Sequence, residues 1–170
     1  MYPYPPNPYR GRQLYQGRMG QMRGRSFPPV QQQLLHAGIR TSRMNFHVAG
    51  QENSQWCWAA AIQMVLSCYR VSISQRQIVA RTYGTDRFGR LPNWAGSFQA
   101  ITRNLNNWSV DNSGRPYTVM ATVNVGAPTP AILVNEMKAK RPVIIGYRTG
   151  QGGGHAVVVT AVSYNLTNRG

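Results

Sequence analysis

The chain has 170 residues, and nineteen Lys and Arg against four Asp and Glu give it a formal charge of +15. That length holds one domain of ordinary size and a tail, and no apolar run approaches the roughly 18 residues that would read as a membrane-spanning helix. So large a positive excess points to an anionic partner (nucleic acid, anionic lipid or an acidic protein) or to a solubilising extension.

Residues 1–42 are rich in Pro, Tyr, Arg, Gly and Gln without a sustained hydrophobic period. Pro3, Pro5, Pro6 and Pro8 forbid an ordinary helix, and Arg10-Gly11-Arg12 and Arg23-Gly24-Arg25 read as a solvated basic arm. Too little apolar surface is available there to offset the entropy of ordering, so a disordered arm is expected. Three readings of it stand: a flexible extension, a secretion leader, or a phosphate-binding arm with interleaved Tyr for base stacking. The first residues lack the apolar stretch of a signal peptide, which gives no support to Sec-type export and leaves a specialised secretion route. Gln31 to His36 suggests a short helical turn, and the folded domain is expected over 43–170. His36 and His47 have no cysteine or acid close in sequence and read as bystanders.

Around Cys57 the chain reads Gln51-Glu52-Asn53-Ser54-Gln55-Trp56-Cys57-Trp58 and then turns strongly apolar. Trp58, Ala61, Ile62, Val65 and Tyr69 recur at three- and four-residue steps, which predicts a buried helix from Cys57 to Tyr69. A cysteine opening such a helix is either a core residue or a nucleophile, since unpaired N–H groups in a first turn favour a thiolate. Gln51, six residues upstream, is placed to curl back and donate to a developing oxyanion. Cys68 lies eleven residues further along the same helix, a rise of about 16 Å. A disulfide needs less than about 7 Å, so Cys68 reads as a small buried hydrophobe.

Ser74-Gln75-Arg76-Gln77 fits a capping box that opens a second helix, with Gly84 after its end. Residues 84–96 form a loop dense in Gly and aromatics, in which Phe88 and Trp94 either line a cleft or pin the loop. A third helix carries Phe98, Ile101 and Leu105 on one side. Tyr117, Val119, Ala121, Val123 and Val125 alternate with Thr, Met and Asn, which predicts a half-buried strand. Thr129-Pro130 marks a helix start reaching about Lys140. Strands are expected over Pro142 to Arg148 and, after a glycine-rich loop, over His155 to Ser163. Helices first and antiparallel strands later read as α+β.

Gln51-x5-Cys57-Trp58, with Gly154-His155-Ala156-Val157 much later, resembles the papain-like cysteine peptidases over residues 45 to 165. The likeness is greatest to the compact bacterial branch of avirulence-effector proteases and bacteriocin leader-processing peptidases. It implies a cysteine helix packed on an antiparallel sheet, with Cys57 as nucleophile, His155 as general base and Gln51 as oxyanion donor. Hydrolysis of a peptide or isopeptide bond through a Cys57 thioester follows, on a protein or peptide substrate and without a cofactor. Two cysteines and three scattered histidines offer no close ligand pair, so no metal is expected.

The family's third group, an Asn or Asp behind the histidine, comes from the strand returning beside it, and that position falls beyond Gly170. Asn165, ten residues along an extended chain from His155, would lie about 30 Å away. The expected domain thus lacks its last strand, and three consequences follow: a truncated enzyme, a working dyad, or a domain no longer catalytic. The leading reading is a cysteine peptidase, such as a secreted bacterial effector. The alternatives are an inactive papain-like binding domain and a basic nucleic-acid-binding protein.

Overall fold

The computed structural model describes residues 33–106, 110–150 and 153–166. The expected disordered arm lies outside these residues except for its end, 33–42. Along the chain run β1 (Leu34–Gly38), α1 (Thr41–Asn45), α2 (Cys57–Cys68), α3 (Gln75–Tyr83), α4 (Phe98–Asn106), α5 (Pro130–Lys138), β2 (Val143–Arg148), β3 (Gly154–Val159) and β4 (Ala161–Asn165). The α+β expectation holds: helices fill the middle of the chain, and the cysteine helix packs on β3.

The core forms around α2. Trp58, Ala59, Ala60, Ala61, Ile62, Val65 and Leu66 are all buried, and the three consecutive alanines let neighbouring backbones approach closely. Ile78 and Val79 of α3 and Ala100, Ile101 and Leu105 of α4 close one side. Ala156 and Val158 of β3 and Ile144 of β2 close another. Each fully buried Ile or Leu here contributes about 1.5–3 kcal/mol of transfer free energy.

The capping signals act as read. Ser74 accepts from Gln77 N–H while the Gln77 side chain returns to the Ser74 backbone, a complete capping box for α3. Thr129 accepts from Ile132 N–H with Pro130 at the first helical position of α5.

Three expectations are corrected. Leu34–Gly38 is a strand and not a helical turn, because it pairs antiparallel with β4, Leu35 opposite Tyr164 and His36 opposite Ser163. Long-range pairing overrides local propensity here. The strand expected over His155 to Ser163 breaks at Thr160, whose carbonyl takes the Ile39 N–H at 2.8 Å. Upstream of the break β3 pairs with β2, and downstream β4 pairs with β1. The late strands therefore belong to two separate two-stranded sheets, and β1 is the partner strand in the second.

Residues 117–125 form no strand. Their alternation is real, since Tyr117, Val119 and Ala121 pack on the core, but among the described residues no neighbouring strand supplies a ladder. The Asn106 side chain substitutes for one at a single residue, taking Ala121 N–H at 2.6 Å and giving its own amide to Ala121 C=O at 2.9 Å.

Beside this segment, Asp111 is buried in a tight turn. Its carboxylate accepts from the Arg115 guanidinium at 2.7 and 3.1 Å and from the N–H groups of Ser113 and Arg115. Those bonds, the Arg115 side chain foremost, hold the Asp111 pKa down at about 2. Arg115 also donates to Arg70 C=O at 2.9 Å, tying the turn to the chain leaving α2.

Candidate active site

Cys57 is the first residue of α2 and is half-buried. The preceding Trp56 makes no side-chain cap, and the first turn carries no acid. Trp56 donates its backbone N–H to Asn53 C=O at 3.0 Å, closing a turn just ahead of the helix. The first-turn N–H groups therefore open on the cysteine end of the helix without a side chain to take them.

The residues on either side of Cys57 are held by one loop. Trp56 and Trp58, both 1% exposed, donate their indole N–H groups to Pro92 and Trp94 carbonyls at 3.0 and 3.1 Å. Side chains two apart on one segment thus grip carbonyls two apart on another. Asn93, between those carbonyls, accepts from Gln55 N–H at 3.0 Å and donates to Ser54 Oγ at 2.9 Å. A Cβ on Gly96 would collide with the Trp58 ring, so only glycine permits this approach. Tyr83 stacks edge-on against both Trp58 and Trp94 and gives its hydroxyl to Ala95 C=O. Trp94 accordingly pins the loop through its backbone carbonyl and is itself 59% exposed. Phe88 lies further out, flanked by the guanidinium groups of Arg87 and Arg90 at 4.7 and 5.0 Å.

His155 is the second residue of β3. It stands opposite Tyr147 of β2, their rings edge-on with centroids 5.8 Å apart. Strand alternation turns Ala156 and Val158 toward the α2 core and His155, with Tyr147, to the other parity. The Trp58 ring lies on Gly96; two residues later the Phe98 ring covers Gly146; and Gly146 pairs with Ala156, next to His155. No hydrogen bond joins the Cys57 sulfur to the imidazole.

Gln51 does curl back toward the turn ahead of the helix. Its side-chain amide gives both protons to backbone carbonyls, Asn53 at 3.2 Å and Ser54 at 3.0 Å.

Among the described residues, no Asn or Asp hydrogen-bonds the His155 ring. Asn165 pairs with Leu34 at the end of β4. Nor, among the described residues, do three His, Cys, Asp or Glu side chains converge where a metal ion would be held. His36 and His47 are occupied by hydroxyls, Ser163 at 2.8 Å and Ser67 at 2.7 Å.

Sequence reasoning missed two residues that shape this site, Asn93 and Gln75. Gln75 was visible only as a position within the capping box. It is 1% exposed, its carbonyl accepting from Glu52 N–H at 3.0 Å and its amide donating to Gly50 C=O at 2.8 Å and Gln63 Oε1 at 3.0 Å. A polar residue next to a cap carries no local sign of burial.

A family model described as Peptidase_C39 like family matches residues 27–168. Neither the curated proteins nor the solved structures provide a match. With the match spanning most of the chain and the cysteine helix packed on its sheet, the chain belongs to the Peptidase_C39 like family, a family of papain-like cysteine peptidases.

Proposed function

We propose that the protein hydrolyses a peptide bond of a protein or peptide substrate, with Cys57 as nucleophile and His155 as general base. The observation carrying this reading is the half-buried thiol at an uncapped helix N-terminus, in a helix that packs on the strand bearing His155. The thiolate adds to the carbonyl carbon, and the oxyanion forms beside Cys57 N–H. His155 holds the thiol proton and delivers it to the leaving amine, after which water attacks the thioester and releases the acid. Gln51 is the second oxyanion donor. It exchanges one of its carbonyl partners, Asn53 or Ser54, for the oxyanion as the substrate seats. A secreted effector is the setting that the sequence resemblance suggests, and the positive excess of the chain suggests an anionic partner for its basic arm.

A second reading, an inactive binding domain of the same fold, draws on two observations. The His155 ring has no amide or carboxylate partner among the described residues, and both Gln51 protons are already engaged. Iodoacetamide labelling at pH 6, followed by peptide mass mapping, separates the two. An active site makes Cys57 label much faster than Cys68, and the wild type cleaves a mixed peptide library that Cys57→Ala leaves intact. Equal, slow labelling of both thiols with no cleavage would establish the binding domain.

A further inference from the structure

The reading of Gln51 leaves open what holds its backbone. Gly50, Gln51 and Glu52 are all exposed and belong to no helix or strand. No Cβ contact would restrain Gly50, which has open space around it. Yet the backbone on both sides of Gln51 is bonded to one buried side chain. Gln75 accepts from Glu52 N–H and donates to Gly50 C=O, so its amide grips the segment as a neighbouring strand would. Its second amide proton goes to Gln63 Oε1 on α2, the helix that begins with Cys57. An amide buried to 1% exposure with each of these bonds made has one orientation, because a flip would leave donors facing donors.

We infer that Gln75 is a positioning residue for the oxyanion hole, fixing the Gln51 backbone to the cysteine helix so that the Gln51 amide reaches the oxyanion. This rests on the reading of Gln51 as oxyanion donor. Gln75 touches no reacting atom; it acts by holding residues 50 and 52 against Gln63. A side chain freed from this grip would spend much of its time away from the productive geometry, where a displacement of about 1 Å can cost on the order of 100-fold.

Two small probes isolate the effect. p-Nitrophenyl acetate acylates Cys57 through a tetrahedral oxyanion, forming the thioester and releasing p-nitrophenolate. Iodoacetamide alkylates the same sulfur at a saturated carbon with loss of iodide and forms no oxyanion. The ratio of the two rate constants, with Cys57→Ala as the blank, therefore reads the oxyanion hole apart from the thiolate. Gln51→Ala is expected to lower the ratio about 100-fold, and Gln75→Met about tenfold with alkylation within about twofold of wild type. In the Gln51→Ala background, Gln75→Met should change the ratio less than about twofold, since the group it positions is gone.

An equal loss in both backgrounds would mean a general structural role and overturn the inference. An unchanged ratio in Gln75→Met, with Gln51→Ala impaired, would overturn it and leave the Gln51 reading intact. An unchanged ratio in Gln51→Ala would remove the oxyanion reading itself. Should Gln75→Met fail to fold, Gln63→Met withdraws only the third anchor. A drop of about threefold in the ratio, absent in the Gln51→Ala background, supports the inference; a folded Gln63→Met with the wild-type ratio overturns it.

Discussion

The two cysteines occupy opposite ends of one helix and could hardly be treated more differently. Cys57 opens α2 half-buried, among N–H groups that no side chain caps. Cys68 closes the same helix at 5% exposure, its sulfur 3.3 Å from the Met44 sulfur and packed with Ile39. Burial pushes the Cys68 thiol pKa up, and the Arg43 charge offsets only part of that. Polar contacts from the 91–96 loop grip the Cys57 end; at the other end the Cys68 thiol packs on hydrocarbon and sulfur, while Arg43 donates to the Cys68 carbonyl and His47 bonds Ser67. On the proposed reading, the same residue type on the same helix is made nucleophile or core residue by which terminus it occupies and what covers it.

The largest effect that tests this contrast is on turnover. Cys57→Ala is expected to lower peptide hydrolysis by on the order of 10⁴-fold or more, while Cys68→Ser leaves turnover per folded molecule unchanged; a comparable loss in both would erase the distinction. Next in size is Trp58→Ala, which opens a large cavity under Gly96 and should cost about 3–5 kcal/mol in denaturant unfolding. Cys68→Ser places a hydroxyl against Met44 without a partner and should lose about 1–3 kcal/mol. Trp56→Phe keeps a six-membered aromatic ring but loses the pyrrole half of the indole and its bond to Pro92, for a loss of about 1–3 kcal/mol and a faster-exchanging 91–96 loop. Smallest is the effect of acid at the far end of the helix. Asp111 has a folded pKa near 2, below its ordinary value of about 3.9. Its contribution is complete above about pH 4 and is lost as pH falls toward 2. Asp111→Asn should flatten that part of a melting-temperature profile.

Much of this was legible because it was local. Helical spacing announced the cysteine helix, Ser74 and Gln77 announced the next one, and Thr129-Pro130 announced α5, each by chemistry within a few residues. What escaped depends on partners far along the chain. Alternation over Tyr117 to Val125 reports that an extended chain buries one face, not that a second strand lies beside it. Leu34 to Gly38 became a strand only because residues 161–165 meet it. At the candidate site, Cys57 and His155 are singled out in the sequence by type and spacing, while Gln75 and Asn93 stay hidden. Their role is to hydrogen-bond backbone, and any amide side chain on the surface looks the same in sequence.

The break at Thr160 has a consequence for how the molecule is made. His36 meets Ser163 across 127 positions of chain, so the β1–β4 pair cannot form until nearly the whole domain has left the ribosome. The cysteine helix and its helical neighbours can collapse earlier, as local contacts form first. During synthesis β1 therefore waits as an unpaired edge, and that interval is when a nascent chain is most open to chaperones and to pairing with another copy of itself.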